Sequence, residues 1–139
     1  MKTWLLDTGP LVAYLDRGDP DHTTAAAALE TFRGRLIVTS AVVVEAMHFV
    51  GEDELGPQLL LQFLERSRAE VLECAQLGQL RAAVALMSRY RDTPMDFADA
   101  TVVLASAGLG VAEVCTLDRR GFRTYRTPQG KAFHLVLDD

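Results

Sequence analysis

The chain has 139 residues, 49% of them hydrophobic and 24% charged, with a net charge of -5. That length suits one domain spanning residues 1–139, with room for a real core and none for a second unit. No apolar stretch approaches the ~20 residues of a membrane span, Asp7 breaks the Met1–Leu6 start before a signal-peptide core can form, and no global positive field attracts nucleic acid, so the expectation is a cytoplasmic protein that is neither membrane-bound nor a simple nucleic-acid-binding module.

Trp4-Leu5-Leu6 reads as a short buried strand ending at Asp7, and a helix is expected after Thr8, with Pro10 in its tolerant first turn. Gly18 to Asp21 is a loop, and the alanine-rich run from His22 to Phe32 is a strong helix. Leu36 to Thr39 is a second strand, with Ser40 capping a helix through Val50. A helix over Glu54 to Arg68 follows, then a weak strand at Val71-Leu72 and a helix over Gln76 to Tyr90. Thr93-Pro94-Met95-Asp96 has the pattern of N-cap, N1, N2 and N3 of a helix reaching Ala107. Val111 to Thr116 and Phe133 to Leu137 complete the strands. Cys74 and Cys115 sit by apolar segments, in no zinc-like spacing, and are expected to be buried free thiols.

Strands alternating with helices predict an α/β fold: a three-layer α/β/α sandwich around a mainly parallel sheet. Ligands in such sheets bind at the carboxyl ends of the strands. Asp7 and Asp118 follow strands directly. Glu45 lies on the second turn of the helix leaving the second strand, within an almost wholly apolar run. Asp99 lies early in the helix returning to the Val111 strand, with no Lys or Arg within four residues. The four therefore belong to one rim. Clustered carboxylates repel, and a hard divalent cation relieves that repulsion, so the pattern points to one or two divalent ions such as Mg²⁺ and to phosphodiester hydrolysis. Each acid alone has an ordinary explanation: Asp7 and Asp118 as caps or turn residues, Asp96 as the N3 partner of Thr93, Glu45 as a partner of His48. The conjunction carries the argument.

Four fragments, Leu5-Leu-Asp7-Thr-Gly-Pro-Leu, Thr39-Ser-Ala-Val-Val-Val-Glu45, Met95-Asp-Phe-Ala-Asp99-Ala-Thr and Thr116-Leu-Asp118-Arg-Arg-Gly-Phe122, occur in an order and spacing that resembles the PIN-domain ribonucleases, in particular the VapC-like toxins of toxin–antitoxin systems. The resemblance covers essentially the whole chain. It implies Mg²⁺ or Mn²⁺ dependence, cleavage of single-stranded or tRNA-like RNA, a homodimer and a cognate antitoxin. It also implies that Asp7, Glu45, Asp99 and Asp118 are the catalytic metal-site acids, with Asp96 as a further ligand or a supporting group and Thr8 and Thr116 supporting through their hydroxyls. Arg119, Arg120 and Arg123, in a stretch without acids up to Asp138, are candidates for phosphate contact, since a guanidinium matches phosphate oxygens bidentately. The same basic patch equally suits an acidic segment of an antitoxin.

Rival readings lack residues they need. A haloacid-dehalogenase-like phosphatase wants a second Asp two positions after the first, where Gly9 stands, and no Lys completes a receiver-domain set. Gly108-Leu-Gly110 is too little for a dinucleotide motif. A catalytically inactive PIN-like interaction module is the main alternative, opposed by acids at all four positions.

Overall fold

The computed structural model describes every residue from Met1 to Asp139. Its centre is a five-stranded sheet of β1 (Thr3–Leu6), β2 (Arg35–Thr39), β3 (Glu70–Leu72), β4 (Glu113–Cys115) and β5 (His134–Leu135) in the order β3-β2-β1-β4-β5. All four pairings are parallel, and β1 holds the middle, with Leu5 opposite both Ile37 and Val114. The expected α/β/α sandwich and parallel sheet are both present.

The chain steps outward from β1 to β2 to β3, then jumps back across β1 to β4 and on to β5. Because parallel crossovers are right-handed, the reversal moves the helices to the other face. Helices α1 (Thr8–Leu15), α2 (His22–Thr31), α3 (Ser40–Val50) and α4 (Gly56–Arg66) pack against one another, as do α5 (Leu77–Arg89) and α6 (Phe97–Leu109). The reversal also makes the β1/β4 junction the topological switch point, where the strand ends open a crevice.

Leu5, Leu6, Ile37, Val38 and Val114 are buried between the helical layers with Leu11, Val42, Leu60, Val102 and Val103. Small residues let α6 press on the sheet: Ala98, Ala100 and Thr101 are buried along it. The Thr101 hydroxyl donates to the Ala98 carbonyl at 2.7 Å, so in its 2.8 Å contact with Thr39 it is Thr39 that donates. Cys74 and Cys115 are free and buried, as expected.

Boundaries moved where local hydrogen bonds outrank the sequence pattern. Thr39, not Ser40, caps α3, accepting from the Val42 N–H. The fourth helix begins at Gly56 instead of Glu54, because the preceding chain folds back so tightly that a Cβ on Gly56 would overlap the Val50 carbonyl. It ends at Arg66, two residues before Arg68 takes φ 54° in the left-handed region. The sixth helix starts at Phe97: Asp96 is its N-cap and Asp99 its N3 residue, replacing Thr93 and Asp96 in those roles. A short helix α7 (Arg119–Thr124) and a closing 3₁₀ turn (Val136–Asp138) occupy segments for which the sequence pattern gave no helix.

Candidate active site

Asp7 leaves β1 at the switch point, its own N–H bonded to the Cys115 carbonyl of β4 at 3.0 Å. It caps α1: Oδ1 accepts from the Thr8 N–H at 2.9 Å. Oδ2 accepts from the Thr116 hydroxyl at 2.7 Å, and that same hydroxyl oxygen accepts from the Asp118 N–H at 3.0 Å. Thr116 thus joins the acid after β1 to the acid after β4. Thr8 is buried beside Asp7, and its Oγ1 is the one buried side-chain polar atom in the chain without a partner.

Asp118 is the N-cap of α7, with Oδ1 accepting from the Gly121 N–H at 2.9 Å. A Cβ on Gly121 would overlap Asp118 Oδ2 and lie 2.9 Å from Tyr125 Cε2. Only glycine lets the carboxylate and the tyrosine ring crowd onto this turn. Asp96 and Asp99 form a reciprocal capping box at the start of α6: Asp96 Oδ1 accepts from the Asp99 N–H at 2.8 Å, and Asp99 Oδ2 from the Asp96 N–H at 3.1 Å. One oxygen of each carboxylate is committed to the backbone and the other is not.

Asp7 lies within the fields of Asp96 and Asp118, and Asp99 within those of Asp7 and Asp96. Burial pushes the Asp7 carboxyl up to about 6; its bonds to Thr116 and Thr8 oppose the rise, while the charges of Asp96 and Asp118 add to it. Burial likewise pushes Asp99 up to about 8, aided by Asp7 and then Asp96. No Lys or Arg offsets either rise, and none of the four ion pairs in the chain includes a site acid. This is a group of oxygen donors with excess negative charge and an orphaned hydroxyl at its edge. That donor set fits a hard divalent cation. No three His, Cys, Asp or Glu side chains converge closely enough to enclose an ion by themselves. The two facts agree for Mg²⁺, which keeps waters and takes few protein ligands, leaving places for substrate oxygens.

Glu45 is half-buried on α3 and lines a groove shared with Asp96, Phe97, Ala98, Val44 and Phe49. It forms no ion pair with His48, whose ring instead contacts Phe49 edge-on at 5.8 Å. Of the basic residues, Arg119 donates to Asp138 Oδ1 at 2.7 Å and Arg123 to Oδ2 at 2.9 Å. These two guanidiniums, candidates for phosphate contact, are bridged by a carboxylate twenty residues from Asp118. Arg120 is exposed and unpaired.

Tyr125, Tyr90 and Gly121 were missed by the sequence reading. Asp118-Arg-Arg-Gly121 carried a signal, an Asp cap followed by glycine at N3. The tyrosines carried none, because their partners are backbone groups 31 and 36 positions away.

The description "PIN domain" belongs to the family model that matches residues 4–127, from β1 through α7. Among curated proteins, the chain is 28% identical over 134 residues to Ribonuclease VapC26 of Mycobacterium tuberculosis, covering 95% of this chain and 98% of that one. Among solved structures, VapC20 of M. tuberculosis, a sarcin–ricin loop cleaving toxin, superposes with a TM-score of 0.76 at 16% identity, over 84% of this chain and 90% of the other. DNA-bound VapBC from Salmonella typhimurium gives 0.61 at 23% identity, over 96% and 98% of the two chains. VapBC2 from Rickettsia felis, bound to a promoter fragment, gives 0.63 at 12% identity with the same coverages. At these identities the solved structures speak to the fold. The family match spans most of the chain and includes every acid of the switch-point crevice, and with it the chain belongs to the PIN-domain family.

Proposed function

We propose that this chain is a metal-dependent endoribonuclease acting as the toxin of a toxin–antitoxin pair. One observation carries the chemistry: Asp7 and Asp99 are desolvated at the switch point of a PIN fold beside the charges of Asp96 and Asp118, with no protein cation to offset them. When bound, one or two Mg²⁺ or Mn²⁺ ions supply the charge that holds the scissile phosphate and the acidity that activates a water.

Asp7, Asp99 and Asp118 are the ligands in this reading, with Asp96 either a further ligand through its uncommitted oxygen or the group that fixes Asp99. Thr116 holds the Asp7 carboxylate in one orientation, and Thr8 offers its hydroxyl at the rim. Glu45, across the groove from Asp96, orients the attacking water or completes the metal site. Arg120 contacts a flanking phosphate, while Arg119 and Arg123 do so only on release from Asp138. The substrate is RNA in single-stranded or tRNA-like form, consistent with the ribonuclease among the relatives. The VapBC assemblies among the similar structures support an antitoxin partner, and a homodimer and a cytoplasmic location belong to the same reading.

The test is cleavage of a mixed tRNA and rRNA pool with Mn²⁺, read by sequencing the new ends. Discrete cuts that vanish with chelator, and that fall at least ~100-fold in Asp7→Asn, are expected. Cuts that survive both treatments contradict the proposal.

A further inference from the structure

Two segments carry the acids that follow the crossover. One, residues 90–99, ends in the Asp96–Asp99 capping box; the other, residues 116–126, holds Asp118 and α7. They are far apart in sequence and come from different connections of the sheet, so something must fix their spacing. Tyr125 closes α7 and is fully buried, at 0% exposure. Its hydroxyl donates to the Pro94 carbonyl at 2.8 Å, two residues before Asp96. Tyr90 closes α5, and its hydroxyl oxygen accepts from the Arg126 N–H at 2.9 Å. Each tyrosine therefore grips the backbone of the other's segment, and the two rings meet edge-on at 5.2 Å. Behind them Phe122 and Phe133 extend the edge-to-face chain, at 5.2 and 5.3 Å, towards β5. The Tyr125 ring also rests on Gly121, whose N–H holds the Asp118 carboxylate.

We infer that Tyr90 and Tyr125 form a reciprocal clasp that sets the distance between the Asp96–Asp99 pair and Asp118, making them positioning residues for the metal site. The inference rests on the proposed metal-site reading. Two partly buried hydroxyl bonds to backbone, with directions fixed by packed rings, resist separation better than exposed ion pairs do. The Tyr125 phenol lies within the fields of Asp99, Asp118, Asp96 and Asp7 alike, as expected of a group seated between the two halves.

The test compares wild type with Tyr125→Phe and Tyr90→Phe, which keep the rings and delete the hydroxyls. Phe32→Leu serves as a control: it disturbs the Trp4–Phe32 stack of 3.9 Å, outside the clasp and the acid crevice. Native-state hydrogen exchange is read first on metal-free protein, then Mn²⁺ affinity by calorimetry. In both tyrosine variants the amides of Asp96, Asp99 and Gly121 should exchange faster while those of α2 do not, and Mn²⁺ affinity should fall by about tenfold. Phe32→Leu should leave both unchanged. If wild type binds Mn²⁺ and the tyrosine variants bind equally well, the clasp is overturned and the proposed function stands. If wild type binds none, the metal reading fails, and the exchange data alone decide the clasp: local acceleration at the three amides supports it, and its absence overturns it.

Discussion

Asp7 and Asp99 hold protons more tightly in the folded chain than an exposed aspartate does, because burial and neighbouring charge both disfavour ionisation. The folded state therefore binds more protons than the unfolded one from about pH 4 upward, and metal-free stability should fall as pH rises through about 6 and on towards 8. For Asp7 the loss is on the order of 3 kcal/mol. Asp138 and Glu70, whose carboxyls lie below the usual range, act the other way only in more acid solution. Urea midpoints of the metal-free protein at pH 5 and pH 8.5 check this. The midpoint should be higher at pH 5, and Asp99→Asn should shrink the difference, since asparagine keeps a cap acceptor without the charge. A wild-type midpoint that climbs towards pH 8.5 would sink the electrostatic account. These two acids were legible in the sequence because each lies in or directly after an apolar run where a carboxylate needs a reason. The competing commitments of Asp99 to the Asp96 N–H, and of Arg119 and Arg123 to Asp138, were not legible, since they depend on partners that only folding selects.

At the scale of elements, the start of α6 shows why the boundaries were harder than the elements. Thr93-Pro-Met-Asp96 and Asp96-Phe-Ala-Asp99 both have the spacing of a capping box, and the first also has proline at N1. The second wins in the fold: Met95 is buried and Tyr125 holds the Pro94 carbonyl, so residues 93–95 precede the helix instead of opening it. The same logic makes Gly121 an element-level constraint on α7. Gly121→Ala should force the Asp118 carboxylate or the Tyr125 ring aside, lowering stability by roughly 1–3 kcal/mol and weakening Mn²⁺ binding. Calorimetric unfolding with a parallel Mn²⁺ titration reads both; unchanged values would mean the crowding at this turn relaxes freely. The sequence pattern did foresee β3, a three-residue edge strand, from no more than Val71-Leu72 between two helices.

For the whole molecule, the alternation of strands and helices was enough to predict a parallel sheet, whereas strand order was not readable. The order matters most, because the jump from β3 back across β1 creates the crevice that gathers acids from opposite ends of the chain. The charge balance is also a property of the whole. With a net charge of -5 and Arg119 and Arg123 paired to Asp138, Arg120 is the one of the three candidate arginines left to neutralise phosphates. RNA affinity should therefore depend weakly on salt, with a log–log slope of about -1 to -3, reduced by nearly one in Arg120→Ala. Filter binding at several salt concentrations, without divalent metal, measures it. A slope near -6 would mean that the Asp138 bridge opens and a wider basic surface engages.

The central claim is that the acid crevice holds a divalent cation, and calorimetric titration of Mn²⁺ into wild type and Asp99→Asn at neutral pH tests it most directly. Binding to the wild type that is lost or weakened at least about tenfold in Asp99→Asn is the predicted result. Equal binding by the two proteins, or none by either, would contradict the claim and move the inactive interaction module ahead of the nuclease.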